Sequence, residues 1–490
     1  MIARARKLTT KLTDCFCRSD VRNKRRLWAE LGLAIVLTVG CARFEPRSIS
    51  PEQTAQSLDA RSLDDFHLRE FLDKNQRSPK TTQWSFEELY LVALYYHPSL
   101  DLARAQWQTA LGGDAVAAGR PNPTIGLVPG YNFSATSPLT PWLPAVTFDL
   151  PIETAGKRGY RQAQAHSLSE SARLNIAATA WHVRSGLRIG LIDFTTSSQR
   201  VEVLRRQASI QEKIITSLEQ RLQAGAISSS EITPVRIALS KTRVDLLDAH
   251  QLQVDARVRV ADAMGVSVSA LSGTDLRYDL VSTTSFSAEM LSLETRRQAL
   301  HGRSDVLSAL ADYAASQSAL QFEIARQYPD IHLGPGYQFD QGDHKFTLSL
   351  NAELPIFNQN QGPIALAKAK RAEAGARFVA LQAKVITEID RAAASYRVAL
   401  ENLSVLESLG NAQKLQLTRV NEQVQAGVAE QLDLLNSQVE LAASDLLQLA
   451  GWVKLQQSAG ALDDAVQRPF ALVATSLVEQ SSRPSATSPQ

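Results

Sequence analysis

The stretch Pro123-Thr124-Ile125-Gly126-Leu127-Val128-Pro129-Gly130-Tyr131 returns further along the chain as Pro329-Asp330-Ile331-His332-Leu333-Gly334-Pro335-Gly336-Tyr337, at an offset of 206. In the first copy Ile125, Leu127, Pro129, Tyr131 and Phe133 alternate with small or polar residues. In the second, Ile331, Leu333, Tyr337 and Phe339 oppose His332, Gly334, Gln338 and Asp340. A period of two predicts a strand with one apolar face. A second alternating run follows each: Val146, Phe148, Leu150 and Ile152 against Thr147 and Asp149, then Phe346, Leu348, Leu350, Ala352 and Leu354 against Thr347, Ser349, Asn351 and Glu353. Working outward, Leu150-Pro151-Ile152 matches Leu354-Pro355-Ile356 at 204, and Leu222-Gln223-Ala224-Gly225 matches Val424-Gln425-Ala426-Gly427 at 202. An offset that drifts so little while the order is kept marks an internal duplication.

Each copy follows one grammar. A short apolar-periodic helix, about 85–118 and 292–327, leads into the two strands. No proline falls in 152–233, 235–328 or 364–468, so long helices are allowed there. The first runs from about Gly156 to Leu222, some 67 residues, or on the order of 100 Å. It breaks at Gln223–Ser230 and resumes to about Met264, with Pro234 placed in the first turn. The second copy predicts a helix from about Pro363 to Ala426, a turn at Gly427 and a helix from about Gln431 to Ala459. Helices this long imply coiled-coil packing. The expected division is 1–40 leader, 41–83 N-terminal periplasmic or anchor segment, 84–264 repeat one, 265–291 connector, 292–465 repeat two and 466–490 a polar, disordered tail.

The 490 residues carry 52 Lys and Arg against 50 Asp and Glu, with no basic stripe, which removes the footprint of a nucleic-acid binder. Cys15, Cys17 and Cys41 are the only cysteines, so the rest of the chain forms neither a disulfide nor a cysteine metal cluster. Residues 1–26 hold nine Lys or Arg, and a mostly apolar Leu27–Val39 follows, the profile of a signal peptide. That run is too short, and too interrupted by Glu30, for a spanning helix. It ends in Leu37-Thr38-Val39-Gly40-Cys41, which resembles the bacterial lipobox, with Thr38 departing from the usual Leu. Lipidation of Cys41 is therefore expected, ordinary cleavage nearby being the alternative. Removing 1–40 leaves 43 basic against 47 acidic residues; the basic balance belongs to the leader.

An ordinary soluble antiparallel sheet would also alternate. These strands, however, are about as long as a tilted outer-membrane strand must be, and their apolar faces carry Tyr131, Phe133, Tyr337, Phe339 and Phe346 near the ends, as lipid-interface girdles do. Four strands cannot close a barrel, since about eight are needed, and an open edge in lipid leaves backbone groups unsatisfied. The barrel must then be shared between chains.

A leader, twin strand pairs that need partners and twin helical hairpins together resemble the TolC-like outer-membrane efflux factors over about 84–465. The heavy-metal branch typified by CzcC and CusC is the nearest, through Arg303-Ser304-Asp305-Val306, Tyr328-Pro329-Asp330-Ile331, Leu354-Pro355-Ile356-Phe357-Asn358 and Gly427-Val428-Ala429-Glu430-Gln431-Leu432-Asp433-Leu434-Leu435. The resemblance implies a mainly α fold with a transmembrane β part: a homotrimer forming a 12-stranded β-barrel in outer-membrane lipid, four strands per chain, continuous with a periplasmic helical tunnel. It implies a passive exit duct of a tripartite, RND-type system, partnered by a periplasmic adaptor and an inner-membrane pump, with heavy-metal cations as cargo. Multidrug efflux, a type I secretion outlet and a non-channel periplasmic scaffold lipoprotein remain alternatives.

No enzyme signature appears: the eight histidines form no HExxH or paired-ligand spacing, and no phosphate loop or nucleophile elbow is present. No cofactor is expected. Asp64-Asp65 and Glu87-Glu88 read as solvated faces. By resemblance, the hairpin turns around Arg221, Leu222 and Gly225 and around Val424 and Gly427 meet the adaptor, a plain glycine C-cap being the bland reading. Glu231 and Asp433, equivalent at offset 202, are the candidate tip gate, against ordinary first-turn acids that favour the helix dipole. Asn436 and Pro234 stand where a second acidic ring would need carboxylates. Asp340, Asp343 and His344 at the second strand turn could hold a cation at the outer mouth, although such turns are ordinarily rich in Asp.

Overall fold

The structure, a computed structural model, describes residues 44–75, 83–136, 138–276, 278–281 and 293–467. Cys41, the leader and the tail from 471 lie outside them. Helix α1 (Pro51–Asp59) buries none of its side chains. A separate compact unit begins at Leu58. In it, Asp65 caps α2 (Phe66–Lys74) by accepting from the Leu68 amide, and β1 (Gln83–Trp84) leads into α3 (Phe86–Tyr96) through a Ser85–Glu88 capping box. Asp65 and Glu88 are therefore caps and not bare surface charge.

The helix expected over 85–118 is two helices, α3 and α4 (Pro98–Ala118). His97 between them is extended at φ −69°, ψ 122°, because a proline excludes the α conformation from the residue before it and suits the first position of a new helix. Strands β2 (Thr124–Tyr131) and β3 (Trp142–Ile152) follow, then α5 (Lys157–Gln223, 67 residues) and α6 (Ser229–Met264). Pro234 lies in the second turn of α6, not the first, where its missing N–H leaves the Ser230 carbonyl without the usual helical donor.

The connector expected at 265–291 is more than a link. It forms a 3₁₀ turn at Val268–Leu271 and β4 (Asp275–Leu276), which pairs in parallel with β1 through Gln83↔Asp275 and Trp84↔Leu276. Leu271 and Leu276 enter a core with Leu68, Leu89, Leu187 and Met264, each such burial contributing about 1.5–3 kcal/mol.

Repeat two also opens with two helices, α7 (Leu293–Gly302) and α8 (Ser304–Ala325), where one was expected. No proline makes this break. Arg303, extended at φ −66°, ψ 131°, is held by its guanidinium on Asp305, Glu388 and the Ala465 carbonyl. Strands β5 (Ile331–Asp340) and β6 (Asp343–Ala352) precede α9 (Gln361–Gln425) and α10 (Gln431–Val466). Strand β6 stops at Ala352 because its partner β5 starts opposite, at Ile331. Leu354-Pro355-Ile356 thus lies beyond the strand whose counterpart contains Leu150-Pro151-Ile152.

The four-stranded sheet is antiparallel throughout in the order β2-β3-β5-β6. Its register collects Leu127, Val146, Tyr337 and Phe346 in one cross-strand row and Gly126, Thr147, Gly336 and Thr347 in the next. One face is apolar and the other small and polar, as the alternation predicts. In the helical layer α5 packs along α6, α9 along α10, and α10 on α5, so that α6 and α9 stand at its two ends.

Candidate functional site

The candidate site residues gather at two hairpin tips. Gly225 (φ 72°) and Gly427 (φ 71°) end α5 and α9 in the left-handed conformation that glycine adopts freely. In the first tip the Ala226 amide donates to the Arg221 carbonyl at 2.9 Å and the Gly225 amide to that of Leu222 at 2.9 Å; in the second, Val428 donates to Gln423 at 2.9 Å and Gly427 to Val424 at 3.1 Å. These paired bonds are Schellman caps. Arg221 and Val424 are half-buried while Leu222, Gly225 and Gly427 face solvent.

Glu231 and Asp433 reopen the chain into α6 and α10 as the third residue of a capping box. Glu231 accepts from the Ser228 amide at 3.1 Å and Asp433 from the Glu430 amide at 3.0 Å. Both are exposed. In one chain, then, each carboxylate serves its own helix N-terminus, and the equivalence read at offset 202 is an equivalence of cap geometry. The tips are joined: Arg221 Nη2 meets Glu430 Oε2 at 2.6 Å, above a small core of Ile214, Leu218, Ile232 and Leu435 drawn from both hairpins.

Higher up, the end helices expose apolar stripes. Ile237, Val244, Leu247, Val254 and Val258 on α6, and Val398, Val405 and Leu409 on α9, are each between 39% and 69% exposed. Counted from Gly225 and Gly427, Leu247 stands level with Val405 and Val254 with Val398, roughly 30 to 45 Å from the turns. The sheet is open in the same sense, with β2 and β6 each lacking an outer neighbour among the described residues.

At the root of the sheet a cavity of about 720 Å³ is lined by His332, Asn351, Glu353, Lys157, Asp330 and Arg161 among others. Lys157 pairs with Asp330 at 2.8 Å and Arg161 with Glu153 at 2.7 Å. His332 Nδ1 lies 3.0 Å from both Asp149 oxygens. Sequence reading placed His332 and Asp149 on the polar face without singling them out. The available signal was that Asp149 and Glu353 are equivalent at offset 204 while His332 replaces Gly126.

At the second strand turn, where the sequence weighs a cation site at Asp340, Asp343 and His344 against ordinary turn acids and no metal site is expected, Asp340 and His344 have other partners. Asp340 is paired with Lys345, and His344 Nδ1 is 2.7 Å from the Tyr337 hydroxyl. Among the described residues no group of three or more His, Cys, Asp or Glu could hold a metal ion. Nor is any described helix long and apolar enough to cross a membrane.

Between the repeats lies a buried ionic knot. Arg188, 5% exposed, meets Asp463 at 2.9 Å, Asp464 at 2.5 Å and the Gly460 carbonyl at 2.8 Å. Arg184 pairs with Asp463 as well.

A duplicated strand-pair and helical-hairpin unit, with one lipid-compatible sheet face, defines an outer-membrane channel fold. The chain belongs to the outer membrane efflux protein family, which matches it over residues 89–266 and 295–466. It is 23% identical over 266 residues to the cobalt-zinc-cadmium resistance protein CzcC of Cupriavidus metallidurans, a match covering 54% of this chain and 61% of CzcC. The CmeC outer membrane channel of Campylobacter jejuni superimposes with a TM-score of 0.66 at 14% identity, covering 91% of this chain and 98% of CmeC. The outer-membrane channel OprN gives 0.65 at 17%, covering 88% and 98%. CusC gives 0.62 at 15%, covering 78% and 92%.

Proposed function

We propose that three copies of this chain close into a 12-stranded barrel in the outer membrane, continuous with a helical tunnel, and act as a passive exit duct for heavy-metal cations. The carrying observation is that sheet and helical layer are open at matching ends. A copy that pairs its β6 with the next copy's β2 also brings its α9 stripe to that copy's α6, at equal heights. Such a contact is head-to-tail, so it closes only as a ring. With four strands per chain two copies would supply only eight, a barrel whose interior side chains fill, whereas three supply twelve and leave room for a lumen.

In this reading Cys41 carries the lipid and the segments flanking 84–465 serve as anchor and tail. The turns at Arg221, Leu222, Gly225, Val424 and Gly427 receive a periplasmic adaptor, and an inner-membrane pump supplies energy. Glu231 and Asp433 line the closed tip, where like charges around one axis repel and partner binding shifts the balance. The cargo rests on likeness to CzcC, a cobalt-zinc-cadmium resistance protein. A test is the paired change Val254→Cys with Val398→Cys. Oxidation should yield covalent trimers on denaturing gels, while Val244→Cys with Val398→Cys, offset by roughly 15 Å, should not. Monomers in both cases would overturn the ring.

A further inference from the structure

We propose that His332 and Glu353 form a way-station for a borderline divalent cation at the root of the sheet. This deepens the reading of the chain as a cation duct and rests on it for the source of the ion. His332 lies in β5 between β3 and β6, with Asn351 directly opposite on β6. Asp149 occupies the β3 side, and its repeat equivalent Glu353 follows Asn351 on the other. The duplication thus places one carboxylate to either side of the imidazole, Asp149 as its hydrogen-bond partner and Glu353 on the cavity wall with it.

Their hydrogen bonds divide the work. Both Asp149 oxygens lie 3.0 Å from Nδ1, so in the neutral ring Nδ1 carries the proton and Nε2 keeps a lone pair. A carboxylate holding one imidazole nitrogen fixes ring orientation and raises the basicity of the other, as at metal centres. His332, Asn351 and Glu353 all line the cavity of about 720 Å³, whereas Asp149 does not. The basic residues of the cavity wall are spent elsewhere: Lys157 on Asp330, Arg161 on Glu153 and Arg326 on Glu323. The Glu353 carboxylate therefore has no cation of its own among the described residues.

One imidazole nitrogen and one carboxylate, with the Asn351 amide beside them, suit zinc, cobalt or cadmium better than magnesium, which prefers an all-oxygen shell. Because so few protein donors are offered, the ion keeps most of its water and exchanges quickly. A duct needs a site that holds its cargo loosely enough to release it.

The probe is Zn²⁺ itself, read on the full chain in detergent by mass spectrometry of histidine modification with diethyl pyrocarbonate. Zn²⁺ should protect His332 and leave His250, on α6, unprotected; Mg²⁺ should protect neither. Glu353→Gln should raise the half-protecting Zn²⁺ concentration at least tenfold, and Asp149→Asn, acting through ring orientation, by roughly 10- to 100-fold. If Asp149→Asn disturbs assembly, Glu353→Gln, at an exposed position past the strand end, still decides the matter. No protection of His332, or protection unchanged in Glu353→Gln, overturns the way-station. Because protection is read in micelles and conduction in planar bilayers, loss of conduction with protection intact would instead overturn the duct.

Discussion

Removing one member of the knot between α5 and α10 should cost far more than removing a balanced pair. Arg188→Leu leaves Asp463 and Asp464 facing Arg184 alone; Asp464→Leu leaves Arg184 and Arg188 facing Asp463 alone. Arg188 is 5% exposed, and the side chains of Asp463 and Asp464 are 23% and 29% exposed. Breaking a fully buried pair costs about 3–5 kcal/mol, and the partial exposure of the acids lowers the expectation here to about 2–3 kcal/mol. The double variant keeps the neutral Arg184–Asp463 pair and loses the Arg188 bond to the Gly460 carbonyl and the Ser185 hydroxyl bond to Asp464, together about 1–2 kcal/mol. Hydrogen exchange of the peptides around Arg188 and Asp463 reads this locally. Each single variant should exchange about 30- to 150-fold faster than the parent, and the double no more than about 30-fold. Single effects that simply add in the double variant would refute the reasoning, because coupling in one ionic network is its content.

His97 should make the α3–α4 junction acid-sensitive. Burial, opposed by Asp262 and Asp101 and assisted by Arg61, holds its pKa below the usual value. Its Nδ1 accepts the Ser99 amide at 3.2 Å, so the neutral ring caps α4. A depressed folded pKa means that this stability is present above the unfolded value of about 6.5 and is lost as pH falls through the folded one. Protection of the amides near Ser99, measured relative to their intrinsic exchange rate, should therefore fall as pH drops below about 6.5, and His97→Asn should flatten that dependence. Arg placed at Leu127, Phe148, Leu333 or Leu348 should cost about 2–4 kcal/mol and hinder membrane insertion. At Thr147, Gln338 or Asn351 it should mainly alter conductance; equal tolerance at both sets would sink the barrel. Glu231→Gln with Asp433→Asn should reduce cation preference in planar bilayers at low salt, less so at about 1 M, where the screening length is about 3 Å. Glu87→Gln with Glu88→Gln should leave preference unchanged.

What the sequence carried was whatever repeats or alternates locally. The strand faces follow from period two, since a one-residue slip would have turned Leu127 and Phe148 to the polar side. The tips were legible because a left-handed glycine and a first-turn acid are signals within a few residues of each other. The break at Pro98 was also written in the chain but was overridden by apolar periodicity, which continues across a kink. The break at Arg303 was only partly local: beside Asp305 two positions on, it depends on Glu388 and Ala465, contacts that no window contains. The knot of Arg184 and Arg188 with Asp463 and Asp464, and the Asp149–His332 contact, escaped notice for the same reason. The pairing of β1 with β4 escaped because a two-residue strand has no period to detect.

Each repeat has its beginning fastened to its end. Gln83 and Trp84, where repeat one begins, lie beside Asp275 and Leu276, just after its end. In repeat two, Arg303 Nη1 reaches the Ala465 carbonyl at 2.8 Å and Ser304 Oγ lies 3.2 Å from Gln467 Oε1. A module whose entrance and exit are neighbours can be copied in frame without inventing a long linker, because the new copy starts where the old one stops. In the ring proposed above, gene duplication and subunit association are interchangeable ways of adding wall, and a single polypeptide carrying three such tandem pairs should close that ring with no partner.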